Sequence, residues 1–305
     1  MIADMTFRFR LFGRIVLLFF IGITIDMYSQ KLEFITKLPA KVHESSGIEM
    51  ASDDSIWTFN DSGGKSELYE CDFTGNLLRT LAIDKAKNRD WEDITKDDKG
   101  NIYIGDIGNN SNKSKKLRVF EISNPEIKDE ETSAKTISFN FEDQKHFPPN
   151  KKKMNFDCEG MFWSNNKLYL FTKHRSFPSS TNVYRVSTKK GDHTAKKIGY
   201  FFTGTESGNS NDFHEYWITG ADISPNGKRV CLINGRKLWV FYNFDEDDFF
   251  GGDCVEIDLG KNTQKEAVCF VSNSEVYITD EYWASSNIGG NLYKMNIESY
   301  INDSK

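Results

Sequence analysis

Apolar residues recur along this chain in short runs of Ile, Val, Phe, Tyr and Trp, broken by clusters of Asn, Asp, Gly and Ser. Such runs between turn residues predict β-strands, and the sustained 3.6-residue periodicity of helices is scarce. The stretch Asn155 to His174 sets the pattern. An acidic pair, Asp157 and Glu159, opens an apolar run, Ser164 to Lys167 make a polar turn, and Leu168 to Phe171 return to Lys173 and His174. Read as a hairpin, it carries its charge at both strand ends on one edge.

The same hairpin recurs through the chain. Ser46-Gly47-Ile48-Glu49 pairs with Ile56 to Asp61, Glu92 to Thr95 with Ile102 to Asp106, Ala221 to Ser224 with Val230 to Asn234, and Glu266 to Phe270 with Val276 to Glu281. Each hairpin is followed by a third strand with an aromatic residue, and the first four by a fourth strand as well. The fifth runs out of chain, and the orphan strand Lys31 to Leu38 can supply its outer edge. The expected fold class is all-β: a β-propeller of five four-stranded blades in a single domain, residues 30–305, closed into a ring by the N-terminal strand. Six blades is the alternative, because the loops at Asn140 to Phe156 and Thr203 to Trp217 are long enough to hold irregular strands.

Strand starts and ends then converge at one mouth of the central channel. The inner-strand starts read Ser46, Glu92, Glu159, Ala221 and Glu266, with Asp93 and Asp222 one residue on. The second-strand ends read Asn60, Asp106, Thr172, Asn234 and Asp280, followed by Asp61, Ile107, Lys173, Gly235 and Glu281. Oxygen donors in this number suit Ca²⁺ or another hard cation. The expected metal set is Glu92, Asp106, Glu159, Glu266 and Asp280. Asn60, Asp61, Trp91, Asp93, Asp222 and Glu281 are the expected contacts of a small polar ligand. Lys173 is the one cation in the aligned columns, with His174 beside it; His214 and Glu215 could also reach the mouth.

A binding site is the leading reading. A metal-dependent hydrolase of phosphoesterase or esterase type is the alternative, with Glu159 or Glu266 as general base and Lys173 or His174 facing developing negative charge. A cell-surface interaction platform is the third. Single acids at strand ends commonly just cap backbone amides, which is the competing structural account.

Charge and processing signals narrow the setting. The 305 residues carry a formal net charge of -6, which argues against a nucleic-acid partner. Arg8, Arg10 and Arg14 precede an apolar run, Ile15 to Ile25, and a polar segment with Ser29. Residues 1–29 read as a signal peptide, with an uncleaved anchor as the alternative. An exported protein, periplasmic or secreted, is expected, monomeric and without a membrane span in its mature part. The five cysteines form no Cys-x-x-Cys pair and read as buried hydrophobes, one disulfide remaining open.

Ser46-Gly47-Ile48 with Asn60-Asp61-Ser62-Gly63-Gly64, Asp90-Trp91-Glu92-Asp93-Ile94 with Gly105-Asp106-Ile107-Gly108-Asn109-Asn110, and Asp157-x-Glu159-Gly160 resemble a group of secreted bacterial β-propellers. That group is similar to the phytase-like (esterase-like) and TolB-like propeller families. The resemblance spans Val42 to Ile297 and implies an exported propeller that binds Ca²⁺ or acts on phosphoesters. It carries over to Glu92, Asp106, Glu159 and Glu266. The scarcity of basic residues in the aligned columns speaks against phytate-type substrates.

Overall fold

The computed structural model describes residues 32–126, 129–204 and 216–303. The chain enters on β1 (Glu33–Lys37) and then folds into successive antiparallel meanders. The first holds β2 (Ser45–Ser52), β3 (Ser55–Asn60), β4 (Glu67–Asp72) and β5 (Leu77–Asp84). The second holds β6 (Trp91–Lys96), β7 (Ile102–Asp106), β8 (Leu117–Ile122), a short β9 (Glu131–Ser133) and β10 (Lys135–Phe141). The third is β11 (Asp157–Ser164), β12 (Lys167–Lys173), β13 (Ser180–Ser187) and β14 (Gly191–Phe202). The fourth is β15 (Gly220–Ile223), β16 (Arg229–Ile233), β17 (Lys237–Tyr242) and β18 (Asp253–Asp258). The last is β19 (Lys265–Phe270), β20 (Glu275–Asp280) and β21 (Asn291–Asn296), followed by α1 (Glu298–Asp303). β1 lies antiparallel on β21, Glu33 opposite Lys294, so the last sheet is completed by the first strand.

Each meander has two apolar faces and cannot bury them alone. Among the described residues five apolar clusters lie between them, each shared by two neighbours. Leu117, Val119 and Phe139 of the second meander meet Met161, Leu170 and Tyr184 of the third in one such layer. Ile48 and Ile56 of the first meander meet Ala267 and Cys269 of the last in another. The first strand of each meander is innermost. β2, β6, β11, β15 and β19 touch in that order, and β19 touches β2. Glycine is required where they crowd: a Cβ on Gly160 would sit 2.8 Å from that of Ala221.

Two features lie outside the repeating pattern. β9 runs parallel to β5 and extends the first sheet to five strands. The first half of β14 runs parallel to β10, Ile137 opposite Gly191, and fuses the second and third meanders into one eight-stranded sheet. Both pairings cover outer edges that would otherwise present unpaired backbone groups. Residues 143–156 contain a single 3₁₀ turn, Lys151–Lys153, and no strand. Residues 1–29, His214 and Glu215 lie outside the described residues. Among those described, no helix is long and apolar enough to cross a membrane, and all five cysteines are free.

Candidate functional site: an acidic channel mouth

The site begins with a repeated irregularity in the inner hairpins. The pairing slips between Trp91 and Asp93, between Cys158 and Gly160, and between Lys265 and Ala267. The residues at these bulges are Glu92, Glu159 and Glu266. A bulge leaves its extra residue out of the ladder and re-aims its side chain. β2 slips likewise between Ser45 and Ile48, and Ser46 Oγ there donates to the Glu92 carbonyl at 3.0 Å. β15 pairs regularly and has no glutamate at this point.

These carboxylates act on one another. Burial pushes Glu92 well above the usual carboxylate range, and Glu159, Asp61, Asp90 and Asp157 add to the effect. Glu159 is raised chiefly by burial, against the pull of Lys173. Glu266 is pushed up to about 7 by burial, with Lys173 opposing. Glu281 is pushed up to about 8 by burial and then by Glu266, Asp61 and Glu44. Asp90 is pushed up to about 6 by burial, Asp61 and Asp157.

The counter-charge comes from the third meander. Lys173 Nζ lies 2.8 Å from Glu159 Oε2, and Arg175 Nη2 lies 3.7 Å from Glu159 Oε1. Arg175 also pairs with Asp157 and donates to Asn110. Both cations stand over the Trp217 ring, at 5.6 and 4.8 Å from its centroid. Burial works against the Lys173 ammonium, yet Glu159, Glu266 and Asp157 hold its pKa well above the usual lysine value.

Several expected site residues are placed elsewhere. Asp106 is fully buried and clamped by Arg118 and Arg89, and its Oδ1 accepts from the backbone N–H groups of Arg89 and Asp90. Asp280, equally buried, accepts from Asn291 N–H and the Tyr293 hydroxyl. Both strand-end acids are thus engaged by neighbouring loop or strand groups rather than turned to the mouth. Asp93 accepts from the N–H groups of Met161, Ala221 and Ile94 and ties three inner strands together. Asp222 accepts from Phe270 N–H and lines a pocket of about 500 Å³ with Glu49 and Lys96, at the ends of β2 and β6 away from the mouth. Asn60 bridges Glu44 N–H and the Lys41 carbonyl.

Trp91 is completely buried, edge-on to Phe59, and has no face for a ligand. His174 is buried against Ser180 and Tyr200, and burial depresses its pKa to about 3. It is a neutral interior side chain, because Lys173 and His174 alternate to opposite faces of the strand end. Asp90 and Arg175 were missed by the column reading. Arg175 shares the period-2 face of Lys173, a signal present in the sequence. Asp90 stands just ahead of the aligned column.

No protein-family profile matches the sequence, and no curated protein sequence does. Solved structures do. The PQQ-bound aldose sugar dehydrogenase of Streptomyces coelicolor aligns over 87% of this chain and 98% of its own, with a TM-score of 0.52 and 9% identity. A structural-genomics protein of unknown function from Bacteroides thetaiotaomicron aligns over 88% of this chain and 76% of its own, with a TM-score of 0.48 and 10% identity. At 9% identity the dehydrogenase speaks to fold alone: this is an all-β protein of the β-propeller class.

Proposed function

We propose that the protein is an exported five-bladed β-propeller that binds a hard divalent cation and a small polar ligand at its acidic mouth. The five meanders are the blades, and the pairing of β1 with β21 closes the ring. Export rests on the residues of the first 29 positions. The observation that carries the binding reading is one of charge. Asp61, Asp90, Glu92, Glu159, Glu266 and Glu281 influence one another at the mouth, whereas the nearby cations Lys173 and Arg175 are already ion-paired there. Such an excess of buried negative charge is compensated by protons or by a bound cation. Ca²⁺ suits a site made of carboxylate oxygens.

Pyrroloquinoline quinone, bound by the Streptomyces protein, is itself a tricarboxylate. It does not fit a mouth with this excess of carboxylates and with Lys173 and Arg175 already paired, and we do not carry it over. A hydrolytic reading finds support in Glu266 alone, whose carboxyl is pushed up to about 7, the range of a general base at neutral pH. His174, buried and neutral, has no part in it.

The test is metal analysis of the purified chain with thermal unfolding in Ca²⁺ and in chelator. Bound metal or a Ca²⁺-dependent rise in Tm is expected. No metal and no shift would remove the cation from the proposal.

A further inference from the structure

Asp61, Asp90 and Glu92 form a corner of the mouth between the first and second meanders. Each offers one carboxylate oxygen, and these oxygens lie within 4.8 Å of one another. Asp61 follows β3, while Asp90 and Glu92 flank the start of β6. Two observations beyond the acidity point to a ligand.

The first is Glu92 itself. It is 6% exposed, and among the described residues no hydrogen bond or ion pair reaches its carboxylate. The charges that act on it most strongly are all acids. A buried carboxylate without a donor is costly. The same chain gives N–H or guanidinium donors to the buried carboxylates of Asp93, Asp106 and Asp157, and none to that of Glu92. The second is Gly108. A Cβ there would lie 2.1 Å from Glu92 Oε1 and 2.3 Å from Asp90 Oδ2. Its φ is not in the left-handed region, so the glycine is needed for space and not for its dihedral.

We propose that Asp61, Asp90 and Glu92 hold one divalent cation of the Ca²⁺ type, with Gly108 as the wall that leaves room for it. This rests on the reading of the mouth as cation-binding. It assigns the cation to a single corner joining two meanders, in place of a ring of Glu92, Asp106, Glu159, Glu266 and Asp280. The group is all-oxygen, with no His or Cys in it, which selects a hard cation over zinc. Three carboxylates leave part of a shell of roughly six to eight oxygens open to water or to a polar ligand entering the mouth.

The experiment is calorimetric titration of CaCl₂, MgCl₂ and ZnCl₂ into chelator-stripped full-length protein. One equivalent of Ca²⁺ is expected to bind. Glu92→Gln and Gly108→Ala should each weaken it by about tenfold or more, the first by losing a charge and the second by filling the space. Asp90→Asn serves as an isosteric check where Gly108→Ala fails to fold, and circular dichroism reports folding throughout. Glu256→Gln, on β18 and outside the mouth, should leave the affinity within about threefold. Ca²⁺ binding kept by Glu92→Gln and Asp90→Asn but lost in Glu159→Gln or Glu266→Gln would overturn the assignment and leave the cation-binding mouth standing. A wild type that binds no divalent cation would overturn both, and one that prefers Zn²⁺ would overturn the choice of a hard cation.

Discussion

Lys173 and Glu159 close a buried ion pair across the first hairpin of the third meander, although the strand register sets Lys173 opposite Asp157. The bulge between Cys158 and Gly160 makes this pairing accessible by turning Glu159 out of the ladder. One lysine thereby answers both Asp157 and Glu159.

Removing that lysine should be costly. Lys173→Met leaves Glu159 buried with only the more distant Arg175, and should destabilise the fold by roughly 3 kcal/mol. Protonation of Glu159 limits the loss, since burial already raises its pKa. The double variant Lys173→Met/Glu159→Gln should recover part of it. Urea denaturation of the four-member cycle measures the coupling, and purely additive losses would refute it.

Stability of the metal-free protein should fall as pH rises from about 6.5 to 8. Glu266 and Glu281 have folded pKa values of about 7 and about 8, raised above the ordinary carboxylate value. The folded state therefore keeps protons that the unfolded state has already released, and the slope of stability against pH is negative there. A loss of about 1 kcal/mol or more across this window is expected in chelator, and saturating Ca²⁺ should reduce it. Thermal unfolding at a series of pH values provides the measurement.

His174 acts with the opposite sign. Its folded pKa, about 3, lies below the unfolded value, so its contribution is present above about pH 6.5 and is lost as pH falls toward 3. Replacing it with Gln should flatten the acid limb of the stability profile. Ca²⁺ affinity should remain unchanged, because the ring packs against Ser180 and Tyr200. A large loss of affinity would put the histidine at the site after all.

Asp93→Ala should destabilise by about 2–4 kcal/mol, because the backbone N–H groups of Met161, Ala221 and Ile94 all donate to its carboxylate. The cation-binding corner uses other side chains. In this variant the urea-denaturation midpoint should drop, and an unchanged midpoint would remove Asp93 from the tie between the inner strands.

The architecture was legible because each meander repeats the same period-2 hairpin, and the turn residues mark its ends. The outer parallel pairings were not legible. β9 is only Glu131–Ser133, and the first half of β14 reads as an extension of one strand rather than a bridge to β10. The mouth was legible as a concentration of acids, but the columns counted every strand-end acid alike. Asp106 and Asp280 have local donors from loop and strand neighbours, whereas Glu92 does not. That difference depends on where neighbouring backbone and guanidinium groups fall, which no spacing within one hairpin encodes. Asp222 shows the same limit: its position one residue beyond the glutamate column places it in the far pocket with Glu49.

The pairing of β1 with β21 sets the timing of assembly. Residues 33–37 can pair only once residues 291–294 are in place, across almost the whole described chain. Contacts of such long sequence separation slow folding, and β21 offers a bare edge in the interval. Any partner that docks on that edge first would compete with the chain's own N-terminal strand. A chaperone that shields the last sheet until β1 docks should raise the yield of folded protein more than one acting on the first four meanders.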